Sequence, residues 1–372
     1  MTNKVAIFEN SKHMSGAFRS SLILANQLSE RAEVLYILPA DSTLNDAVAE
    51  HGFALRKVKT IEIRRSLKNL FFYFPMLLLN ALILKSWLKK NRIDVLIVND
   101  YHNLLGALVK LIGWRGRLIT YIRRIPSQHH GLLGPLWVKI AQLCSESVIV
   151  VSKAVLNDLR SKRKTVVVNN TINSVEKYPV DKWPSFNSIV FLVIGNYMEG
   201  KGQLYALLAF LELPLESSIK IRFVGGDMGL KKNREYKNKL VRLAQQSKSC
   251  NRIEILGYDE DVERQIKDAH VVLNCATSES FSRVCIEAGY FGRAVISTKC
   301  GGPEEIIIPG RTGLLVKNRD PAEIAEAMSY FIDNKSSIEA MGEAARHHVR
   351  EAFGYERQKL LTLQSILNEG YD

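Results

Sequence analysis

The chain has 372 residues and a formal net charge of +13, and it is 47% hydrophobic and 24% charged. This length favours two domains, and the composition is that of a folded globular protein rather than a disordered or fibrous one. The five cysteines form no C-x-x-C pair, which argues against a disulfide framework or a zinc site and for a reducing compartment. The first residues, MTNKVAIFENS, lack the apolar core of a secretion signal, so we expect none.

The positive charge is concentrated in one half of the chain. Residues 1–175 carry 25 Lys and Arg against 11 Asp and Glu, a net +14, so the remaining residues sum to −1. Such asymmetry indicates a polyanionic partner. The aromatic residues cluster in one apolar segment instead of alternating with basic loop residues as stacking platforms do. We therefore predict an anionic membrane surface as partner, no nucleic acid, and a cytoplasmic location at the inner face of the membrane.

Apolar runs of strand length alternate with helical periodicity through the first half of the chain. This alternation is typical of βαβ units and predicts an α/β domain with a parallel, Rossmann-like sheet. The loop after the first strand ends in Ser15-Gly16-Ala17, where a helix starts, and Gly16 would let a ligand approach that helix closely. The predicted strands are 4–8, 34–38, 53–58, 95–98, 118–121, 148–151 and 166–168.

Residues 64–92 form a strongly apolar segment with basic ends. The apolar stretch from Leu70 to Leu84 has 15 residues and is interrupted by Pro75 and Asn80, whereas a spanning helix needs about 20. We predict that it does not span a membrane. Two alternatives stay open: a core helix packed on the sheet, or an interfacial helix. In the second, lipid or headgroup contacts come from Phe71, Phe72, Phe74, Trp87, Arg64, Arg65, Lys68, Lys85, Lys89, Lys90 and Arg92.

Polar residues follow two strands of the first half. Asp100 and His102 come directly after one strand, and Arg123 comes after the next. Ligands of open α/β sheets bind outside the carboxyl ends of the strands. We therefore expect Asp100, His102 and Arg123 to line a cleft at this edge of the sheet.

A polar segment with two prolines, residues 173–188, predicts an interdomain linker. The second domain begins at 189 with a strand, then Gly195-Asn196, then Lys201-Gly202 at the start of a helix. An ammonium beside helix N–H groups suits a phosphate. Gly225 ends the next strand in the same way. Asp259 and Asp261 resemble a metal-binding D-x-D, but they stand at a helix start, so we interpret them as capping residues and predict no metal.

The stretch 278–316 combines a polar loop, a short helix, a strand and a Gly-Gly-Pro turn. Glu279 precedes Phe281, Ser282, Arg283 and Val284, and Glu287 follows eight residues after Glu279. Bare glycine backbones and helix N-termini offer N–H groups that hold phosphates, and the two carboxylates can accept hydrogen bonds from hydroxyls. The pattern predicts a ligand that is part phosphate and part polyol.

These motifs resemble the donor site of the retaining family 4 glycosyltransferases. E-S-F-S-R-V-C-I-E, A-G-Y-F-G-R-A-V-I-S-T and G-G-P-E-E-I correspond to the family's E-x7-E, A-x-x-x-G-x-P-V-V and G-G-x-x-E, although serines stand where its two glycines are usual. The resemblance implies the GT-B fold, with two Rossmann-like domains and a deep cleft. It implies an acceptor domain at 1–172, a linker at 173–188 and a donor domain at 189–354. It also implies a helix at 355–372 that returns to the first domain.

The resemblance also assigns roles to residues. Glu279 would bind the donor sugar, Glu287 the ribose, and Lys201 the diphosphate of a nucleotide sugar, with no metal or other cofactor. The family's usual phosphate-binding Arg is replaced by Asn196, and our hypothesis is that Arg283 supplies this charge. Backbone N–H groups of 281–284 would assist, and Gly16, Gly195, Asn196 and Gly225 complete the expected donor contacts. In the same scheme Asp100, His102 and Arg123 are the candidates for the acceptor side.

The predicted activity is retaining, metal-independent hexosyl transfer to a lipid-linked glycan, glycolipid or polysaccharide, as in cell-envelope or lipopolysaccharide synthesis. The alternatives are a GT-B epimerase or phosphorylase, and a non-catalytic protein that binds membrane surfaces. An epimerase would turn over the donor without an acceptor, and a phosphorylase would need free phosphate.

Overall fold

The computed structural model describes residues 3–59, 67–128, 133–172 and 183–368, with the backbone alone for 67–74. The chain divides into two compact units, one of residues 1–171 with 356–372 and one of residues 172–355. Each contains a parallel sheet with helices between its strands, which confirms the predicted α/β class with two Rossmann-like domains.

The first unit is built on a seven-stranded sheet in the order β3-β2-β1-β4-β5-β6-β7. Its central strands are buried on both faces, as the continuous apolar runs predict. The order reverses between β1 and β4, which creates a topological switch point at their carboxyl ends. The strands are β1 Asn3–Glu9, β2 Ala32–Pro39, β3 Ala54–Val58, β4 Val95–Asn99, β5 Arg117–Ile122, β6 Ser147–Val150 and β7 Thr165–Val167.

Helices connect these strands and cover the sheet. Ser15 caps α1 by accepting a hydrogen bond from the Phe18 N–H at 3.2 Å, and Asn103 caps α4 through the Leu105 N–H at 3.0 Å. The helices are α1 Gly16–Ser29, α2 Asn45–Glu50, α3 Leu67–Lys90, α4 Leu104–Leu111, α5 Leu133–Cys144 and α6 Lys153–Asp158.

The segment predicted at 64–92 contains the long helix α3, Leu67–Lys90. Its inner stripe, Ala81, Leu84 and Leu88, is buried in the core of the sheet, as the core alternative predicts. Trp87 packs on that core with the Arg56 guanidinium 4.9 Å from its ring centre, and Lys85 donates to the Ile112 carbonyl. The interfacial alternative is therefore wrong for Trp87 and Lys85, because the helix turns both inward.

The remaining interfacial residues divide between described and undescribed positions. Lys89 and Lys90 are exposed in the last turn of α3. Among the helices in the described parts of the chain, none is both long and apolar enough to cross a bilayer, which agrees with the prediction. Residues 64–66 and the side chains of Lys68, Phe71, Phe72 and Phe74 lie outside the described residues.

The second unit repeats the same topology with six strands, in the order β10-β9-β8-β11-β12-β13. Here the switch point lies between β8 and β11. The core is formed by apolar side chains between the sheet and helices α7, α12 and α13. The strands are β8 Ile189–Ile194, β9 Ile219–Val224, β10 Ile253–Ile255, β11 Val271–Asn274, β12 Ala294–Thr298 and β13 Gly313–Val316.

The helices of this unit alternate with its strands and then follow the last of them. Asp261 caps α9 by accepting a hydrogen bond from the Arg264 N–H at 3.0 Å, so the predicted capping role is confirmed for Asp261. The Asp259 carboxylate accepts a hydrogen bond from Gln265 Nε2 at 2.7 Å. The helices are α7 Gln203–Glu212, α8 Lys231–Gln246, α9 Val262–Lys267, α10 Arg283–Tyr290, α11 Pro303–Ile306, α12 Pro321–Asp333 and α13 Lys335–Phe353.

The two predicted connections between domains differ in their packing. Of the linker, residues 173–182 lie outside the described residues, whereas Trp183 packs in the second unit with the buried Arg293 guanidinium 4.2 Å from its ring centre. The last helix, α14 Tyr355–Leu367, packs on the first unit. There Lys359 pairs with Glu30 at 2.7 Å, and Gln358 accepts from the Asn169 N–H at 3.1 Å.

Candidate donor site at the switch point of the second unit

The loop after β8 is shaped by glycines that other loops approach closely. A Cβ on Gly225 would lie 2.0 Å from the Gly195 carbonyl oxygen, and Gly195 itself has a φ of +147°. The Gly225 N–H donates to the Gly257 carbonyl at 3.1 Å. The turns after β8, β9 and β10 therefore pack backbone against backbone at one edge of the sheet, where side chains would not fit.

Lys201 is presented by a single turn of 3-10 helix, Glu199–Lys201, just before α7. Gly202 ends this turn in the left-handed conformation, with a φ of +68°, and a Cβ there would lie 1.8 Å from the Cys275 carbonyl oxygen. Cys275 directly follows β11. The glycine of the Lys-Gly pair is therefore required because the ends of β8 and β11 converge on it.

Glu279 is held by backbone hydrogen bonds to the Gly-Gly-Pro turn. Its N–H donates to the Cys300 carbonyl at 2.9 Å, and its carbonyl accepts from the Gly302 N–H at 2.7 Å. The Glu304 carboxylate accepts from the Gly301 N–H at 2.9 Å and from the Cys300 N–H at 3.2 Å. The expectation that these bare glycine N–H groups hold phosphate is therefore wrong for Gly301 and Gly302, because both are satisfied within the protein.

Lys201 and Glu279 form an ion pair across the switch point. The Lys201 ammonium donates to Glu279 Oε1, and their side chains are 36% and 15% exposed. Partial burial pushes the pKa of Lys201 down, but the charge of Glu279 and the hydrogen bond to it outweigh that effect and leave the pKa above its usual value. Lys201 is thus a fixed cation at any physiological pH.

A second ion pair lies within α10. Arg283 Nη2 donates to Glu287 Oε1 at 2.7 Å, four residues on, and both side chains are largely buried. Ser282, which stands where the family pattern has glycine, caps this helix by accepting from the Cys285 N–H at 3.4 Å. Capping of α10 therefore explains why a serine can stand at this position in place of the glycine.

Three more of the predicted donor residues, Asn196, Phe281 and Val284, belong to the segments that carry these pairs. Asn196 follows Gly195 after β8, and its carbonyl accepts from Gln203 Nε2 at 2.9 Å. Phe281 is 4% exposed and its ring packs against Phe353, so its side chain belongs to the core, and its backbone lies against Gly302. Val284 occupies the first turn of α10.

The predicted acceptor-side residues cluster at the switch point of the first unit. Asp100 accepts from the N–H groups of Tyr101 at 2.9 Å and Arg123 at 3.2 Å. Its other carboxylate oxygen lies 3.7 Å from His102 Nδ1 and 3.5 Å from Arg124 Nε. The structure therefore brings Asp100, His102 and Arg123 together, as the sheet rule predicts, while Gly16 begins α1 after β1.

Sequence reasoning missed three polar residues at the carboxyl edge of the first sheet, namely Glu9, Asn99 and Asn170. The Arg123 guanidinium, 7% exposed, donates to Asn99 Oδ1 and, at 2.9 Å, to Asn170 Oδ1, and Asn99 in turn donates to Glu9. Burial lowers the pKa of Arg123, and the network of oxygen acceptors compensates its desolvation. Glu9 and Asn99 end β1 and β4, so the rule that found Asp100 would have found them too.

Within the described residues, no group of three or more His, Cys, Asp or Glu side chains is arranged to hold a metal ion. The charges of the donor site are instead arranged as two cations matched by two carboxylates. An anionic ligand that binds this site would therefore compete with Glu279 and Glu287 for Lys201 and Arg283.

Two family models match the chain in tandem. The model "Glycosyl transferases group 1" matches residues 181–348, and the model "Glycosyltransferase Family 4" matches residues 14–175.

Curated relatives match over part of their length. A D-inositol 3-phosphate glycosyltransferase of Paenarthrobacter aurescens is 38% identical over 99 residues, 27% of this chain and 24% of that protein. An uncharacterized glycosyltransferase of Methanocaldococcus jannaschii is 26% identical over 233 residues, 61% of each chain. The chain thus spans about a quarter of the length of the first of these relatives and about three fifths of the second.

Solved structures match over nearly the whole chain. The crystal structure of Anabaena HepE in complex with UDP and glucose has a TM-score of 0.81 at 20% identity, covering 99% of this chain and all of that one. Sucrose-phosphate synthase from Thermosynechococcus elongatus has a TM-score of 0.78 at 18% identity, covering 97% and 98%. With two family models in tandem and this fold, the chain belongs to the group 1, or family 4, glycosyltransferases of the GT-B fold.

Proposed function

We propose that this glycosyltransferase moves a hexosyl group, with retention of anomeric configuration and without a metal ion, from a nucleotide-diphosphate sugar. The proposed acceptor is a lipid-linked glycan, a glycolipid or a polysaccharide of the cell envelope, reached from the cytoplasmic side. The observation that carries the proposal is the Lys201–Glu279 pair at the switch point, where α/β sheets bind nucleotides. Solved neighbours with this fold bind UDP and UDP-glucose, which supports the same donor class here.

The ion pair gives Lys201 and Glu279 linked roles. A donor diphosphate brings two or more negative charges to Lys201 and draws the ammonium away from Glu279. The released carboxylate can then accept hydrogen bonds from sugar hydroxyls. Because Glu279 is held through its own backbone to Cys300 and Gly302, it stays in place while its partner changes, so the sugar meets a preorganised acceptor.

Arg283 is the proposed second cation for the diphosphate. It stands in the first turn of α10, where the helix N-terminus adds partial positive charge. Its guanidinium has five N–H donors, so it can keep its bond to Glu287 and bind a phosphate oxygen with another N–H. Glu287, held by Arg283, would then accept from the ribose hydroxyls.

The chemistry follows from these positions. The anomeric C–O bond to phosphate breaks through a transition state with oxocarbenium character, and negative charge builds on the leaving diphosphate. Lys201 and Arg283 stabilise that charge, which lowers the barrier because the interaction strengthens as the reaction proceeds. In the front-face route that the family implies, the acceptor hydroxyl attacks from the side of the leaving group, and a phosphate oxygen takes its proton.

The acceptor would be met by the first unit. Asp100 and His102 lie at the carboxyl edge of its sheet, and the Arg123–Asn99–Glu9 network holds the strand ends beneath them. The net +14 of residues 1–175 supports an acceptor that is anionic or embedded in an anionic membrane.

The experiment that tests the proposal is a saturation-transfer NMR screen of nucleotide sugars. We expect one donor to bind, Glu287→Ala to abolish the ribose signals, and Glu326→Ala, an exposed glutamate of α12, to bind as the parent does. The donor found is then incubated with extracted envelope lipids, with and without EDTA, and the anomeric configuration of the product is read by NMR.

The other possible outcomes would each contradict one part of the proposed function. Conversion of the donor without any acceptor would indicate an epimerase, and a requirement for free phosphate would indicate a phosphorylase. Loss of activity with EDTA, restored by a divalent cation, would contradict metal independence. If no nucleotide sugar bound, the proposed function would be wrong.

A further inference from the structure

The outer face of α3 is apolar although its inner face already packs on the sheet. Leu78, Leu79, Leu82 and Ile83 are between 46 and 51% exposed, while Ala81, Leu84 and Leu88 fill the core on the opposite side. A helix that covers a soluble sheet normally carries polar side chains outward. Helix α3 therefore has two apolar faces, of which only the inner one is covered by the core of the sheet.

The same anomaly recurs on α5. Leu133, Leu136 and Leu143 follow helical spacing and are 47, 50 and 69% exposed, whereas Trp137, Val138 and Ala141 are buried. Singly exposed leucines are common on soluble proteins, but two outward aliphatic stripes in one layer of helices mark an interaction surface.

Helix α4 lies between α3 and α5, packs against both and joins the two stripes. Lys85 of α3 donates to the Ile112 carbonyl at the end of α4, and Lys110 of α4 pairs at 2.9 Å with Glu146 just after α5. Between these two ties lies Leu111, which is 71% exposed. The exposed aliphatic side chains of α3, α4 and α5 therefore form one surface, here named the outer leucine surface.

The three helices that form the outer leucine surface carry charged side chains of one sign. Residues 67–90, 104–111 and 133–144 contain six lysines and no Asp or Glu. Lys89, Lys90 and Lys139 are exposed. An apolar surface with a basic rim is complementary to an anionic bilayer, since aliphatic side chains enter the acyl boundary while lysines meet the headgroups.

We propose that the outer leucine surface docks this protein on anionic lipid bilayers through α3, α4 and α5. The surface differs from the one expected from sequence, because Trp87 and Lys85 face inward and α4 and α5 contribute instead. A second copy of the chain would also bury the leucines, but it would bring the exposed Lys89, Lys90 and Lys139 of each copy against each other, which disfavours that occupant.

Vesicle co-sedimentation with the full chain and no donor tests this proposal independently of the transfer reaction. We expect binding to phosphatidylcholine vesicles that contain 30% phosphatidylglycerol, as chosen for the assay, and much weaker binding to pure phosphatidylcholine. Leu79→Ser with Leu82→Ser should weaken the partition coefficient by about tenfold or more, because each half-exposed leucine loses part of its transfer free energy. Lys89→Gln with Lys90→Gln should weaken it by about fivefold per lysine.

The matched control is Leu215→Ser, since Leu215 is 63% exposed on the second unit; its partition coefficient should equal that of the parent. A variant of α5, Leu136→Ser with Leu143→Ser, should repeat the effect of the α3 pair. Circular dichroism and light scattering on every variant verify folding and oligomeric state.

Three results would overturn the proposal. The first is no binding to the anionic vesicles at low salt. The second is binding that the leucine pairs on α3 and α5 leave unchanged. The third is self-association that those leucines control, with no vesicle binding. A protein that docked on vesicles but bound no nucleotide sugar would refute the proposed function and leave the docking surface standing.

Discussion

Replacing Gly202 by alanine tests how the donor loop is held. The new Cβ would lie 1.8 Å from the Cys275 carbonyl oxygen, in a backbone conformation with a φ of +68°. The left-handed conformation costs an L-residue about 1–2 kcal/mol. The overlap comes in addition, because Cys275 is buried at the end of β11 and cannot yield without disturbing the sheet. We expect Gly202→Ala to lower the free energy of unfolding by roughly 3 kcal/mol or more.

Gly229→Ala is the matched control. Gly229 has nearly the same φ, +69°, but no heavy atom lies within 4 Å of the position that an alanine Cβ would take there. This variant should lose only the strain of about 1–2 kcal/mol, so the difference between the two variants isolates the contact with Cys275. Urea unfolding monitored by tryptophan fluorescence measures both.

Donor binding gives a second measure of the same perturbation. Lys201 directly precedes Gly202, so a loop that moves to relieve the overlap also moves the ammonium. A displacement of about 1 Å can cost a factor of about one hundred in rate, and we expect a comparable loss of donor turnover for Gly202→Ala and none for Gly229→Ala. Equal losses of stability in the two variants, with unchanged turnover in both, would refute this reasoning.

Three further predictions concern other groups of the second unit. Arg283→Ala should weaken donor affinity roughly tenfold to a hundredfold, because a hydrogen bond to a charged group is worth about 1.5–3 kcal/mol; unchanged affinity, with affinity abolished in Lys201→Ala, would disprove its role. Burial lowers the pKa of His270 to about 4, so the unfolded state binds a proton first and the free energy of unfolding should fall by up to ~3 kcal/mol as the pH drops from 6.5 to 4. Urea titrations across this range should show a smaller fall for His270→Gln, and identical pH profiles would contradict the assignment. In thiol labelling of the native protein, the exposed Cys250 should react first. Three thiols are buried, and burial raises their pKa: Cys275, Cys285 and Cys300. We expect these thiols to stay unlabelled until the protein unfolds, and labelling of any of them in the native protein would contradict this expectation.

Local sequence patterns were sufficient for the seven strands of the first sheet. Continuous apolar runs predict buried parallel strands because both faces of such a strand are covered, and β1, β4 and β8 follow the runs that predicted them. The same holds for Asp261, whose capping role depends on residues three positions away. Strands and helix caps depend on residues that are close in the chain, and for this reason the sequence predicts them.

The donor site was predictable as a set of residues but not as an arrangement. The motifs singled out Lys201, Glu279, Arg283 and Glu287, yet the partner of Lys201 is 78 residues away. That pairing exists because β8 and β11 lie side by side at the switch point, and strand order is a property of the assembled sheet.

The sequence alone thus determined the α/β class, the strands of the first sheet, and the residue types that the donor chemistry needs. Only the tertiary structure decided that the Gly301 and Gly302 N–H groups are already satisfied and that the leucines of α3 and α5 face outward. The physical reason is that hydrogen-bond satisfaction and exposure depend on which distant segments come into contact. Helical periodicity places residues on a common face, but the packing of the whole sheet determines which face is buried.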